Sequence, residues 1–234
     1  MIPKVIHYCW FGGNPLPELA VKCIDSWKKY CPDYEIVEWN ESNFDIQCCC
    51  YVYEAYKAKK WAFVTDFVRL YVLITYGGIY MDTDVEVTKP LDIFLQHSAF
   101  SGFECADQIP TGIMACEKDF PLFKTLLDEY QGRHFLLEDG TFDTTTNVTT
   151  ITNSCLRYGL ILNNKFQEVE GMTLYPSDYF CPKSHKTGIV TCTENTHTIH
   201  HFSGTWYDKK MRNLSVQGIG CTARLEKKLP ATES

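Results

Sequence analysis

Two aspartates one residue apart close the stretch at residues 76–87, YGGIYMDTDVEV. If the apolar run before them is a strand that continues through both, side-chain alternation sends Asp82 and Asp84 to one side and Thr83 to the other. At about 3.3 Å of rise per strand residue, their Cα atoms then stand roughly 6–7 Å apart. Two carboxylates so placed can converge on one hard cation and on whatever that cation carries. A bare Asp-x-Asp is more often a solvated strand end, so its weight depends on its neighbours.

Three neighbours matter. The segment Trp61–Tyr76, WAFVTDFVRLYVLITY, is apolar on most faces yet carries Asp66 and Arg69. At i,i+3 they share a helix face and can reach one another. A buried helix holds such charges only if they are paired with each other or engaged by a ligand. Trp10 ends the first apolar run, KVIHYCWF, where it is either a core residue or one wall of a cleft. Late in the chain, THTIHHFSGTW offers His200, His201, Ser203 and Trp206. Asp107 and Asp143 lie in polar loops, and no spacing selects either as a nucleophile or an acceptor contact.

The elements that must position these residues follow an α/β pattern. Residues 4–11 read as a buried first strand ended by Gly12 and Gly13. Pro17 and Glu18 open a helix to about Tyr30, with Leu19, Val21, Cys23, Ile24 and Trp27 as its apolar positions. Residues 34–39 form a second strand, so strand, helix and strand fall within about 40 residues, the signature of a parallel βαβ unit. A short helix at 51–60 precedes the long one, which Gly77 and Gly78 stop. Strands are expected at 85–87, 99–103 and 112–116, a helix at 121–130, and a polar Thr-rich loop at 140–149. A helix follows at 147–158 despite its many β-branched residues. A β pair across Gly171 and a final strand within 196–206 complete the reading, with a weak helix at most in the tail from Gly218.

Composition narrows the function classes. With 234 residues the chain is long enough for one sizeable core, read as a single domain over 1–234. The formal net charge of −7, with no basic block in the body of the chain, argues against nucleic acid as the main partner. An acidic protein that binds an anionic ligand needs a cation or helix N-termini in its site. A slightly basic tail at 224–228 allows a peripheral membrane contact. The 12 cysteines include the triplet Cys48, Cys49, Cys50 but no CxxC pair, and residues 1–10 lack the pattern of a secretory signal. Reduced thiols and a cytoplasmic location, at the inner face of the membrane if that contact holds, are therefore expected.

Taken in order, IHYCWFGG, Asp-x-x-Arg in the buried helix, GGIYMDTD and HHFSGTW resemble the DXD-containing glycosyltransferase family 32. This is the family of capsule-type and fungal Golgi sugar transferases, related to the glucosylating domains of clostridial toxins. The likeness spans residues 2–90 well and the C-terminal stretch more loosely, and 100–195 carries little of it. The resemblance implies the GT-A fold, a mostly parallel nucleotide-binding sheet flanked by helices. The donor-binding part would be roughly 1–100, and an acceptor-side part with a C-terminal lid roughly 101–234. It also implies a retaining hexose transfer from a nucleotide sugar, with Mn²⁺ or Mg²⁺, to a glycan or lipid-linked acceptor in bacterial surface-glycan or glycolipid synthesis. UDP-galactose or UDP-glucose is the first expected donor and GDP-mannose the second.

Carried over residue by residue, the resemblance has Trp10 stack on the base and Asp66 and Arg69 contact the sugar hydroxyls and the diphosphate side. Tyr80 lies against the donor, Asp82 and Asp84 serve ribose and metal, and Trp206 caps the donor. His201 is the first choice to complete the metal shell, with His200 and Ser203 as alternatives. Two other readings compete. A haloacid-dehalogenase-like phosphatase also places Asp-x-Asp after a strand, but near the N-terminus and followed two residues later by Thr or Val, where this chain has Glu86. A non-catalytic sugar-nucleotide or glycan-binding module would keep the fold without turnover. An EF-hand is excluded, because Val87 stands where the loop needs Gly and Ile93 where it needs Glu.

Overall fold

In the computed structural model, β1 (Val5–Cys9) and β2 (Glu35–Trp39) pair in parallel across helix α1 (Glu18–Tyr30). The sequence dictates this helix: Glu18 sits in its first turn, Lys28 and Lys29 in its last, each matching the helix dipole. Ala20, Cys23, Ile24 and Trp27 form the buried stripe at the i, i+3, i+4, i+7 spacing. The structure describes residues 1–105, 108–109 and 111–204, of which Met1–Ser203 form one compact unit. Trp206, Asp107 and the tail from Gly218 lie outside the described residues.

Helices α2 (Cys50–Lys57) and α3 (Trp61–Tyr76) return the chain to β3 (Gly78–Met81), which pairs with β1 in parallel, His7 opposite Tyr80. Eight apolar side chains of α3 are buried, each stabilising by roughly 1.5–3 kcal/mol. Gly77 and Gly78 end the helix at φ 69° and 105°. A Cβ on Gly78 would stand 2.7 Å from the Val5 carbonyl oxygen, so glycine is what lets β3 close on β1.

After β4 (Val85–Val87), strands β5 (Ala99–Gly102) and β6 (Ile113–Cys116) extend the sheet. Helices α4 (Pro121–Asp128) and α5 (Asn147–Arg157) follow, then β7 (Gln167–Val169), β8 (Met172–Tyr175), the short α6 (Ser177–Phe180) and β9 (Thr198–His200). The large sheet has the order β2-β1-β3-β6-β5-β8-β7, and β4 pairs separately with β9. β2, β1, β3, β5 and β8 run in one direction; β6 and β7 oppose them. Alternation splits the core between the two faces: Cys9, Tyr80 and Met114 join one cluster, while Ile6, Ile79 and Ala115 join the other.

The chain leaves β1 first for β2 on one side and then for β3 on the other. That reversal opens a crevice at the carboxyl ends of β1 and β3, where open α/β sheets take their ligands. Trp10 directly follows β1 and Asp82 directly follows β3.

Three expectations need correction. The Asp-x-Asp segment is not strand: Asp82 to Asp84 form a turn closed by the Val85 N–H on the Asp82 carbonyl at 3.0 Å. The reason is that β3 and β4 belong to different sheets, and the chain must change partner between them. The final strand is confined to Thr198–His200, since Phe202 at φ 54° breaks the extended path. Helix α6 was not expected at all.

Candidate active site

Helix α3 brings Asp66 and Arg69 to the crevice on one face, both almost fully buried. Arg69 Nη2 lies 3.3 Å from Asp66 Oδ1 and 3.5 Å from Asp82 Oδ1. Its Nη1 donates to the Thr111 carbonyl at 2.8 Å, and its guanidinium sits 4.7 Å from the Tyr80 ring centre. The internal Asp66–Arg69 pair is thus real, and it opens onto the first aspartate of the DXD turn. Burial pushes the Asp66 carboxyl up to about 6, against the pull of Arg69.

Tyr80 is buried, 1% exposed, beneath Arg69, and its hydroxyl donates to Asp82 Oδ1 at 3.0 Å. Its tie to the site runs through these two side chains. Asp82 keeps the more open carboxylate of the pair, 28% exposed against 12% for Asp84. Trp10 is half-buried, with its indole N–H donating to the Asn14 carbonyl at 2.6 Å.

Pairing of β4 with β9 sets the other wall. Val85 stands opposite His200, and the His201 N–H donates to the Asp84 carbonyl at 2.9 Å. His200 Nε2 reaches Asp84 Oδ1 at 3.3 Å, while the Ser203 N–H donates to Asp84 Oδ2 at 2.7 Å. Burial alone would raise Asp84, but His200 and the Ser203 amide hold it well below the usual carboxylate range. Burial alone would lower His200, yet Asp84 keeps it well above an ordinary imidazole. Its Nδ1 is buried with no hydrogen-bond partner, although the Cys181 thiol lies close enough to act on it electrostatically.

The expectation of His201 as the metal-shell histidine does not fit this geometry. His201 Nε2 lies 2.8 Å from Glu86 Oε2, and Lys22 approaches the same carboxylate. Neighbouring residues on an extended chain point to opposite sides. With β4 in this register His200 turns to the aspartates and His201 away. Asp82, Asp84 and His200 each offer a ligand atom, all within 4.8 Å of one another. Two carboxylates and one imidazole suit a hard-to-borderline divalent cation, so the donor set fits the expected metal.

Residues that the sequence reading passed over support this centre. Asn147, at the start of α5, is 1% exposed; it donates its backbone N–H to Asp66 Oδ2 at 3.0 Å and its side-chain amide to the Asp66 carbonyl. The Tyr130 hydroxyl donates to Asn147 Oδ1 at 2.8 Å. Asp143 is bound to Arg133 at 2.7 Å and accepts the Thr145 N–H, which makes it a loop anchor.

Residues 17–101 match the family described as "Glycosyltransferase sugar-binding region containing DXD motif". Over 131 residues the chain is 32% identical to "Inositol phosphoceramide mannosyltransferase 3" of Schizosaccharomyces pombe, covering 51% of this chain and 35% of that protein. It is 28% identical over 131 residues to "Mannosyl phosphorylinositol ceramide synthase CSH1" of Saccharomyces cerevisiae, covering 53% of this chain and 34% of that one. The matches therefore span about a third of these relatives' lengths. Among solved structures, "PaToxG Glycosyltransferase" superposes with a TM-score of 0.50 at 20% identity, covering 67% of this chain and 69% of that one. That likeness bears on the fold alone, a mixed α/β sandwich of the GT-A kind. Residues 17–101 are thus similar to the sugar-binding, DXD-containing region of a glycosyltransferase family.

Proposed function

We propose that this chain is a metal-dependent, retaining glycosyltransferase that moves a hexose from a nucleotide sugar to a lipid-linked or glycan acceptor. The observation that carries this reading is the convergence of Asp82, Asp84 and His200 beside the buried Asp66–Arg69 pair. Asp82, Asp84 and His200 would hold the cation. When bound, Mn²⁺ or Mg²⁺ would neutralise diphosphate charge that an acidic protein cannot hold unaided and would favour departure of the nucleoside diphosphate. Arg69 supplies a fixed positive charge on the diphosphate side; one unit-charge pair at 4 Å is worth about 4 kcal/mol at an effective dielectric near 20. Asp66, held by Asn147, is the acceptor for donor-sugar hydroxyls, and Trp10 at the end of β1 is the surface for the base.

We assign the front-face route to the retaining step by analogy with the family that the sequence resembles. The relatives named for mannosyl transfer support mannose as the sugar, which brings GDP-mannose level with the UDP-hexoses expected from the sequence. Their names also support a lipid-linked acceptor. Residues 1–100 would then carry the donor and residues from 101 onward the acceptor. No helix among the described residues is long and apolar enough to cross a membrane; we assign the chain a peripheral place at the cytoplasmic face.

The test is release of nucleoside diphosphate from UDP-galactose, UDP-glucose and GDP-mannose, with Mn²⁺ and with a chelator. Metal-dependent release from one donor, abolished by Asp84→Ala, is the expected result. Binding without release from any donor would instead favour a sugar-nucleotide-binding module.

A further inference from the structure

Three residues of the site meet one dipeptide just before β6. The Thr111 carbonyl accepts from Arg69 Nη1 at 2.8 Å, and the Gly112 carbonyl accepts the Asp82 N–H at 2.9 Å. Gly112 also lies against the His200 ring: a Cβ placed on it would stand 2.8 Å from Nδ1 and 2.9 Å from Cε1. Side-chain carbons are not found that close to other heavy atoms, so an added methyl group must move something.

Backbone conformation does not call for glycine here, because Gly112 lacks the positive φ that marks Gly77 and Gly78. The ring itself is the reason. His200 has little room to retreat: Phe202 packs on it with ring centres 4.2 Å apart, and Val85, Ile113, Phe180 and Cys181 line the same narrow gap. Its Nε2 meanwhile points to Asp84.

We infer that Gly112 is a positioning residue of the metal centre, its missing side chain being the space in which the His200 imidazole completes the Asp82/Asp84 set. The carbonyls of Thr111 and Gly112 fix Arg69 and Asp82 from the same strand end. The inference rests on reading Asp82, Asp84 and His200 as a divalent-cation site, but it does not depend on which sugar is moved.

The full chain, Gly112→Ala, His200→Ala and the double variant are compared by titration with Mn²⁺, following the free ion by electron paramagnetic resonance, and by denaturant unfolding. Gly112→Ala is expected to weaken Mn²⁺ binding about 10–100-fold, the usual effect of losing a group that orients a ligand. The double variant should bind no more weakly than His200→Ala, and the destabilisation by Gly112→Ala should vanish once the imidazole is gone. Should Gly112→Ala fail to fold, the double variant still decides: a folded protein with the Mn²⁺ affinity of His200→Ala supports the inference, and an unfolded one overturns it. Wild-type affinity in Gly112→Ala, or full additivity of the two changes, overturns it as well. Absence of Mn²⁺ binding by the wild type would overturn the cation-site reading itself.

Discussion

Asn147 donates its backbone N–H to Asp66 Oδ2 at 3.0 Å from a position 81 residues further along the chain. With its side-chain amide on the Asp66 carbonyl and its Oδ1 accepting from Tyr130, it closes a fully buried polar junction between α3, α5 and the turn after α4. Asn147→Ala strands the Tyr130 hydroxyl without a partner. We expect a loss of about 1–3 kcal/mol in urea unfolding, and a smaller loss for Tyr130→Phe, which leaves Asn147 Oδ1 without its donor but keeps the Asn147 side-chain amide on Asp66.

Asp66 gives stability a pH dependence of a definite sign. Its carboxyl titrates at about 6 in the folded protein against an ordinary 3.8, chiefly because it is buried. Below the ordinary value both states hold the proton and the group contributes nothing. As pH rises toward 6 the unfolded chain releases its proton first, so folded stability falls, and above 6 the full cost of about 3 kcal/mol is present. Asp66→Asn should therefore be more stable than the wild type at pH 7, with the gap closing near pH 4. Equal stability of the two at pH 7 would contradict this.

Arg69 bridges two carboxylates, lies on an aromatic ring and donates to a carbonyl from the same guanidinium. A lysine ammonium cannot reproduce that planar fork. Arg69→Lys is expected to fold yet to lose at least about tenfold in donor hydrolysis, and Arg69→Ala to lose about 3–5 kcal/mol of stability by leaving buried carboxylates without their cation. Kinetics on the purified variants, set beside their unfolding curves, separate the two effects.

Much of this site was legible before the structure. The apolar run at residues 61–76 carries Asp66 and Arg69 at helical spacing, and the bounds Trp61–Tyr76 and Val85–Val87 follow from Gly77, Gly78 and strand alternation. What was not legible depends on partners distant in sequence. Asp82, Thr83 and Asp84 could continue a strand as far as local preference goes; the turn arises because β4 leaves for β9. The choice between His200 and His201 is one of parity, fixed by the β4–β9 register, and a slip of one residue would reverse it. Thr111 acts through its backbone carbonyl, which leaves no mark in residue type, and Asn147 and Gly112 act on partners far away in sequence. Helix α5 forms in spite of its β-branched residues because Ile151 and Cys155, four apart, bury one face behind Asn147.

The same parity argument predicts opposite outcomes for adjacent histidines. The His201 imidazole pairs with Glu86 on the far side of β4, in a partly exposed pair worth about 0–1 kcal/mol. His201→Ala should leave Mn²⁺ affinity unchanged, whereas His200→Ala should weaken it. The reverse order would restore the original expectation from sequence and displace the register account.

The central claim is that Asp82, Asp84 and His200 together hold a divalent cation. Crystals soaked in Mn²⁺ and measured for anomalous diffraction test it most directly. The account predicts one strong peak within coordination distance of all three side chains. A peak at Glu86 and His201, or none near the two aspartates, would contradict it.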